Sequence, residues 1–221
     1  IPLNIESMIF YKCYYSFLLN EFGGVIDDLI ISKIKYQDNQ FFYIVYNSSR
    51  KEVDEKIFFN NLVDYFLLEN NSLIAIQGPN AEKTLNFLIE AKKLLFMQNN
   101  TINHLSNEII ISRSGYTGED GFEISIPNQI VEKFVVNLLG NSNIKLCGLG
   151  SRDSLRIEAG LSLYGNELTE KITPIEANLT WSIHKSRLND EKLNGNDIIN
   201  KQLNSGVKNI KIGLQSKSKS M

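Results

Sequence analysis

Alternation of apolar and polar positions predicts β-strands along much of this chain. A polar turn at 37–39 separates the first two strands, and a glycine-rich turn at 114–121 separates the last two. Each of these couples therefore predicts an antiparallel hairpin. The predicted strands are 28–35, 40–46, 72–77, 108–113 and 122–126.

Helical spacing of apolar residues is limited to shorter stretches. A helix is predicted over 129–139, where the apolar residues share one side and Gly140 ends the pattern. A turn at 78–80 predicts another helix from about Ala81, and its apolar side would be formed by Leu85, Leu88 and Ile89.

Two further helices are predicted from their end signals. Ser151 is a suitable N-cap and Gly160 a suitable end for a helix between them. Thr173-Pro174-Ile175-Glu176 matches a capping box with proline at the first helical position. A helix should therefore begin there and carry Leu179 and Ile183.

Strands and helices are interleaved, and hairpins are frequent. This order favours an α+β fold with mixed, mainly antiparallel sheets over a doubly wound parallel sheet. The chain has 221 residues, of which 43% are hydrophobic, which suits one large domain or two intimate ones. The net charge of −2 argues against nucleic acid or an anionic membrane as partner. The apolar stretch 8–19 contains Lys12 and is too short to cross a bilayer.

The cysteines and histidines show no metal-binding spacing. Cys13 and Cys147 lie far apart, and we expect both to be buried thiols in a reducing compartment. His104 and His184 have no ligand-type neighbours, so no metal is predicted. The basic residues near the end are expected to form a solvated tail; they include Lys208, Lys211, Lys217 and Lys219.

The turn SGYTGEDGFEISI, residues 114–126, carries more polar groups than a hairpin needs. In the strand that follows it, Phe122, Ile124 and Ile126 share one face and Glu123 points the other way. Glu123 is either a solvated surface residue or a carboxylate fixed on a strand, where it could accept two parallel hydrogen bonds from a ring and its amine.

Two other segments combine glycine with charge. In Gly23-Gly24-Val25-Ile26-Asp27-Asp28 the glycines permit close backbone approach, and strand alternation lets only one of the two aspartates face a given site. A β-bulge before an acidic strand explains the segment equally well. In 148–156, Arg156 is expected to pair with Asp153 or Glu158, whereas Arg152 lies in the first helical turn and would suit a ligand or a tertiary carboxylate.

Several segments together resemble the aminomethyltransferase (T-protein) family of the glycine cleavage system. They are GGVIDDLI, LIAIQGPNA, GYTGEDGFEI, GLGSRDSLRIEAGLSLYGNEL and TPIEANLTW, they occur in the family's order, and they extend over nearly the whole chain. The resemblance implies a fold with helices and sheets around a central folate cavity. It also implies transfer of a methylene from the aminomethyldihydrolipoyl arm of H-protein to tetrahydrofolate, with release of ammonia.

The resemblance also implies roles for single residues. Asp28 would be the catalytic carboxylate, which stabilises positive charge at the reacting amine or relays a proton. Glu123 would bind the edge of the pterin. The remaining folate-site positions would be Tyr15, Asn47, Tyr116, Arg152 and Trp181.

By the same resemblance, 1–205 is expected to form a folate-binding core of two interleaved subdomains that is incomplete at its N-terminus. Residues 206–221 would begin a truncated C-terminal barrel-like domain. Such a chain alone is expected to turn over weakly or not at all, because an open cavity admits water. Tetrahydrofolate would be a co-substrate, the lipoylated H-protein the partner, and no metal, nucleic acid or membrane is implied. The expected location is the bacterial cytoplasm, with the mitochondrial matrix as the alternative.

Three rival interpretations remain open. The first is a related folate-dependent enzyme with another one-carbon donor, as in dimethylglycine, sarcosine or sulfonium demethylation. The second is a non-catalytic folate-binding protein of the kind linked to iron–sulfur assembly, although neither cysteine lies in the motif typical of that group. The third is a folded but inactive partial copy.

Overall fold

The computed structural model describes residues 1–37, 39–61, 64–86 and 93–215. Two antiparallel sheets organise them. The first sheet has the strand order β1–β2–β3 and the second the order β4–β7–β6–β5. The strands are β1 (Cys13–Leu19), β2 (Val25–Tyr36), β3 (Asn39–Tyr46), β4 (Asn71–Gln77), β5 (Asn99–His104), β6 (Asn107–Ser112) and β7 (Gly121–Pro127).

The helices are α1 (Lys51–Asn61), α2 (Ala81–Leu85), α3 (Asn128–Leu139), α4 (Leu149–Glu158) and α5 (Asn196–Ser205). The pairings β2–β3 and β6–β7 are both antiparallel, which confirms the predicted hairpins. The mixed α+β class with antiparallel sheets is also confirmed.

The first sheet has two faces of different character. Leu29 and Ile31 of β2 point to α1 and form a core with its Ile57 and Phe58. The alternate residues of β2, which begin with Asp28, point to the opposite side. The functional residues of this sheet therefore lie on the face turned away from α1.

The second sheet buries one face completely. Phe122, Ile124 and Ile126 are each 0% exposed and pack with Phe134 of α3 and Leu85 of α2. This confirms the predicted apolar face of β7. The other face turns toward the first sheet, where side chains of both sheets line one small pocket; among them are Cys13, Ile30, Tyr43, Ser112 and Glu123.

A third core closes the end of the first sheet. Phe17 and Val25 pack there with apolar residues between 168 and 199. Gly24 lies so close to this segment that a Cβ atom would stand 1.9 Å from the carbonyl oxygen of Glu170. The predicted close backbone approach is thus confirmed. The strand register also shifts at this point, so the bulge is present as well.

The predicted helix after Thr173 is wrong. The capping-box bonds form, since the Thr173 amide donates to Glu176 Oε2 at 2.9 Å and the Glu176 amide donates to Thr173 Oγ1 at 3.2 Å. The chain then makes only turns, because Asn178 adopts a φ of +59° that an α-helix cannot contain.

Other predicted features differ in detail. The N-cap of α4 is Gly148, so Ser151 lies inside the helix and does not cap it. The predicted strand 72–77 is present as β4 and begins one residue earlier; it lies at a sheet edge, with Leu73 49% exposed. The patterns did not predict β1, α1, β5 or α5. Asp38, Leu88 and Ile89 lie outside the described residues.

Two surface expectations need correction. Cys13 is buried, but Cys147 is exposed. Lys211 is anchored, because its Nζ donates to the Gly160 carbonyl and to Ser162 Oγ, both at 2.7 Å. Within the described ranges, no helix is long and apolar enough to cross a membrane.

Candidate functional site

Asp28 is a half-buried carboxylate fixed by two neighbouring strands. The Tyr15 hydroxyl on β1 donates to Asp28 Oδ2 at 2.9 Å, and Asn47 Nδ2, just past β3, donates to Oδ1 at 2.8 Å. Burial raises the pKa of Asp28, and these two bonds only partly oppose the rise. A carboxylate that is withdrawn from water yet held in one orientation is typical of a functional site.

Asp27 lies behind it and is fully buried. The backbone N–H of Asn47 donates to Asp27 Oδ2 at 3.1 Å, and Asn47 Nδ2 donates to Asp27 Oδ1 at 2.9 Å. Strand alternation points the two aspartates to opposite faces, as predicted. Asn47 nevertheless contacts both, because it lies where β3 ends and its amide reaches around the sheet.

An aromatic wall borders Asp28. Tyr15 stacks on Trp181, with ring centroids 5.7 Å apart and an interplanar angle of 22°, and meets the edge of Phe17. Trp181 lies in a single 3₁₀ turn and is 70% exposed. One face of the stack is therefore covered by protein, and the other is open to a flat ligand.

Tyr116 and Arg152 form a second couple. The Tyr116 hydroxyl donates to the Ser162 carbonyl at 2.5 Å, and Arg152 Cζ lies 5.0 Å from the Tyr116 ring centroid. Burial raises the pKa of Tyr116 to about 12, with Arg156 and Arg152 opposing the rise and Asp28 adding to it. The charge of Asp28 thus acts on Tyr116 through space, although no hydrogen bond among the described residues joins the two side chains.

Glu123 stands apart from this group. Ser114 Oγ donates to Glu123 Oε2 at 2.6 Å, and the carboxylate lines the small pocket between the sheets. Ile30 lines that pocket too and is two residues beyond Asp28 on the same face of β2. Among the described residues, no hydrogen bond or ring contact joins Glu123 to the other six predicted site residues.

The glycine-rich turn is shaped around Gln77. A Cβ atom on Gly115 or Gly121 would stand 1.8 or 2.3 Å from Gln77 Oε1, so a side chain at either position would require the Gln77 amide to move. Asp120 accepts two hydrogen bonds from Arg113, both at 2.8 Å. Of the three carboxylates in 114–126, Asp120 is thus structural and Glu119 is exposed, which leaves Glu123 as the functional candidate.

The two arginines of α4 differ as predicted. Arg156 is 2% exposed and donates to Asp153 Oδ1 at 2.8 Å, the predicted pair, and to Glu167 Oε2 at 2.7 Å. Arg152 is exposed, and in the described parts of the chain it makes no ion pair within 4 Å. Its guanidinium therefore keeps hydrogen-bond donors for a ligand.

Sequence patterns missed three polar contributors: Ser114, Ser162 and Asp54. The first two act through atoms that any residue or any hydroxyl could supply, so no motif marks them. Asp54 lies on α1, and a capping signal, Ser49 with Glu52 three residues later, could have predicted where that helix begins. Among described side chains, no group of three or more His, Cys, Asp or Glu is arranged to hold a metal.

Comparison with known proteins identifies the family to which this chain belongs. Residues 2–187 match the family model described as the GCVT N-terminal domain. The chain belongs to this family. The resemblance that the sequence motifs carry is therefore confirmed.

Named relatives of this GCVT-family chain are aminomethyltransferases. The mitochondrial enzyme of Saccharomyces cerevisiae is 45% identical over 208 residues, which cover 86% of this chain and 52% of the relative. The mitochondrial enzyme of Pisum sativum is 39% identical over 210 residues, covering 89% and 51%. The chain spans about half the length of these curated relatives.

A solved structure supports the fold. The glycine cleavage system aminomethyltransferase T from Bartonella henselae superposes with a TM-score of 0.82 at 35% identity. The match covers 93% of this chain and 56% of that one. Agreement over almost all of this chain confirms the arrangement of sheets and helices that surrounds Asp28.

Proposed function

We propose that this chain supplies the catalytic carboxylate and the folate-binding wall of a tetrahydrofolate-dependent aminomethyltransferase of the glycine cleavage system. Family membership and the names of the relatives support the reaction class. The observation that carries the proposal is Asp28 itself, withdrawn from water, oriented by Tyr15 and Asn47, and bordered by an open aromatic stack.

The reaction balances without a metal or an oxidant. The aminomethyl carbon leaves its sulfur on the dihydrolipoyl arm of H-protein and becomes the methylene bridge of 5,10-methylenetetrahydrofolate. The amine departs as ammonia, and the arm is left as a dithiol. Positive charge develops at the carbon and its nitrogen as these bonds change, so an oriented carboxylate lowers the barrier.

Asp28 has two properties that suit this task. Its carboxylate is preorganised by two donors, so little reorganisation is needed when charge develops beside it. Its pKa is raised above the ordinary aspartate value, which favours proton transfer to or from a nitrogen. The hydrogen bond from Tyr15 sets the direction in which the remaining lone pairs point.

The described residues fit a reduced pterin. The exposed face of Trp181 offers a stacking surface, and Tyr116 with Arg152 offers a second aromatic surface with a cation. Glu123 holds a carboxylate between the sheets, where it can accept hydrogen bonds from ring N–H and amine groups. Asn47 would lie beside the ligand at Asp28. Tetrahydrofolate supplies the nucleophilic nitrogens, and these residues bind and orient it.

The test uses the full-length protein with tetrahydrofolate and aminomethylated, lipoylated H-protein. Formation of 5,10-methylenetetrahydrofolate and ammonia in equal amounts is expected, and none should form with H-protein that lacks lipoate. Turnover of dimethylglycine or sarcosine without H-protein would favour the rival enzyme class. Folate binding without any turnover would favour the non-catalytic class.

The relatives' names also bear on location. The yeast and pea proteins are named as mitochondrial, which supports the mitochondrial matrix over the bacterial cytoplasm for this chain. Fluorescence microscopy of the tagged full-length protein in its own cells tests this, and a diffuse cytoplasmic signal would contradict it.

A further inference from the structure

Two carboxyl groups lie buried side by side behind the proposed catalytic residue. Asp27 on β2 and Asp54 on α1 are each 0% exposed. The helix packs on the face of the sheet to which Asp27 points, so Asp54 is buried on the same side of the sheet as Asp27, and the proximity of Asp27 raises the pKa of Asp54. Two ionised carboxylates so close in a buried site would repel each other strongly.

Hydrogen bonding distinguishes the two acids. Both oxygens of Asp27 accept hydrogen bonds from Asn47, one from its backbone and one from its side chain. Neither oxygen of Asp54 has an N–H or hydroxyl donor among the described residues. An unpaired buried carboxylate is costly, whereas a protonated carboxyl is itself a donor that Asp27 can satisfy.

Arg50, the cation that opposes the rise in the pKa of Asp54, is already engaged. Arg50 Nε donates to the Ile26 carbonyl at 3.1 Å, and Arg50 Nη2 pairs with Glu170 at 2.9 Å. Arg50 therefore influences Asp54 through space but, in the described part of the chain, makes no hydrogen bond with it. A proton is left as the simplest means of neutralising one of the two acids.

We propose that Asp54 holds a proton at neutral pH and donates it to Asp27, and that this pair fixes Asn47, which in turn positions Asp28. The connection runs from Asp54 through Asp27 and Asn47 to Asp28 and crosses from one face of the first sheet to the other. Asp54 is thus a positioning residue. Only the last link, to a reaction at Asp28, rests on the proposed function.

The charged and titratable surroundings agree with this assignment. Burial raises the pKa of Asp54 to about 8, Asp27 and Asp28 add to the rise, and Arg50 opposes it. The charge of Asp54 also contributes to the raised pKa of Tyr46 on β3 and of Tyr164. Two further acids nearby are paired with cations, Glu170 with Arg50 and Glu55 with Lys51.

The first test needs no activity. The infrared spectrum of the full-length protein at neutral pH should contain a protonated carboxyl band that is absent from Asp54→Asn and that disappears as pH rises through about 8. The matched control is Glu52→Gln, an exposed acid on the same helix, which should leave the band in place. A wild-type spectrum without such a band overturns the proposal.

Stability gives a second readout. The unfolded pKa is 3.8 and the folded pKa about 8, so the folded state binds the extra proton between these values and its stability falls as pH rises. The Tm of Asp54→Asn minus that of wild type should therefore increase with pH up to about 8 and then stay constant. A difference that is independent of pH, like the one expected for Glu52→Gln, contradicts proton sharing.

Activity tests the positioning role. Asp54→Asn keeps a donor toward Asp27, whereas Asp54→Leu removes it, so at neutral pH kcat of the Leu variant should be about tenfold below that of the Asn variant. Wild-type kcat should also fall as pH rises through about 8, and this fall should be absent from Asp54→Asn. Equal kcat values and matching pH profiles for the two variants would overturn the positioning role.

If wild type has no transferase activity, the proposed function fails, while the spectrum and the stability still decide the proton-sharing pair.

Discussion

Two polar clusters near the site differ in whether their buried carboxylates are paired with a cation. In the acid cluster, defined here as Asp27, Asp28 and Asp54, the bonded donors are a tyrosine and an asparagine, and none is a cation. In the arginine cluster, a buried Arg156 bonds both Asp153 and Glu167. The acid cluster has only neutral hydrogen-bond donors among the described residues, whereas the arginine cluster pairs its carboxylates with a cation.

The pKa directions follow from this difference. Burial raises the pKa of Asp28 and of Asp54, because neither has a bonded cation. Burial also acts to raise the pKa of Glu167, but the Leu163 amide and Arg156 outweigh it, so this pKa is lowered. Carboxylates without a bonded cation suit a site that must attract a developing positive charge. Carboxylates paired with arginine suit a structural contact.

The arginine cluster nevertheless serves the site. Arg156 Nη1 and the Leu163 amide both donate to Glu167, which fixes the segment 161–167 against α4. The Ser162 carbonyl in this segment accepts the hydrogen bond of Tyr116. Tyr116 thereby keeps its place beside Arg152 because a neighbouring ion pair holds the loop.

Breaking the arginine cluster should have the largest effect. Arg156→Leu leaves Glu167 and Asp153 without their cation, and we expect the free energy of unfolding to fall by about 3 kcal/mol, the lower end for a broken buried pair, because Glu167 is partly exposed. Urea denaturation measures this change. Arg152→Leu on the same helix is the control and should change stability by less than about 0.5 kcal/mol. Similar losses for both variants would contradict the structural role of Arg156.

Removing the charge of the proposed catalytic residue should lower the reaction rate and leave stability unchanged. In the full-length protein, Asp28→Asn should lower kcat for methylene transfer by about 100-fold, equal to about 2.7 kcal/mol of barrier. The affinity for tetrahydrofolate should change little, since the stacking surfaces remain. Single-turnover kinetics and equilibrium binding separate the two quantities, and unchanged turnover would remove Asp28 from the mechanism.

Changing Glu123 should have the reverse outcome, with a larger effect on folate affinity than on rate. Glu123→Ala removes a charged acceptor for the ring N–H groups, which is worth about 2 kcal/mol, so tetrahydrofolate binding should weaken about 30-fold. The effect should appear in the dissociation constant before it appears in kcat. Glu119→Ala, an exposed carboxylate in the same turn, serves as the control. Unchanged folate affinity in Glu123→Ala would confine that residue to the packing between the sheets.

Sequence patterns predict the parts of this fold whose periodicity is strong. Strand β7 shows a clean alternation, and its three apolar residues are all fully buried. Strand β1 is apolar and aromatic on both faces, so it lacks that alternation, and no strand was predicted there. Helix α1 has a weak apolar stripe and was missed for a similar reason. The false helix after Thr173 had correct local capping chemistry, but Asn178 departs from helical geometry five residues later.

The site residues also divide into those that sequence motifs predict and those that depend on packing. Motifs mark Asp28, Glu123 and Arg152, because glycine-flanked or strand-borne charges are visible in a sequence. The partnership of Asp27 with Asp54 depends on how α1 packs across the sheet, and no local pattern contains that information. The role of Asn47 in contacting both aspartates likewise depends on where β3 ends.

The smallest effect we expect is that of changing Glu167. Its dependence on pH should be opposite to that of Asp54 in the acid cluster. The folded pKa of Glu167 is lowered from 4.5, so its contribution to stability is fully present above pH 4.5 and is lost as pH falls through the folded pKa. Glu167→Gln keeps an acceptor for the Leu163 amide but not the charge, and should cost about 1 kcal/mol at neutral pH. This cost should shrink toward zero in acid, whereas the advantage of Asp54→Asn grows toward alkaline pH. Thermal unfolding across the pH range measures both, with the exposed Glu158→Gln as control. If the cost of Glu167→Gln stayed constant down to acid pH, hydrogen-bond geometry and not charge would stabilise this joint.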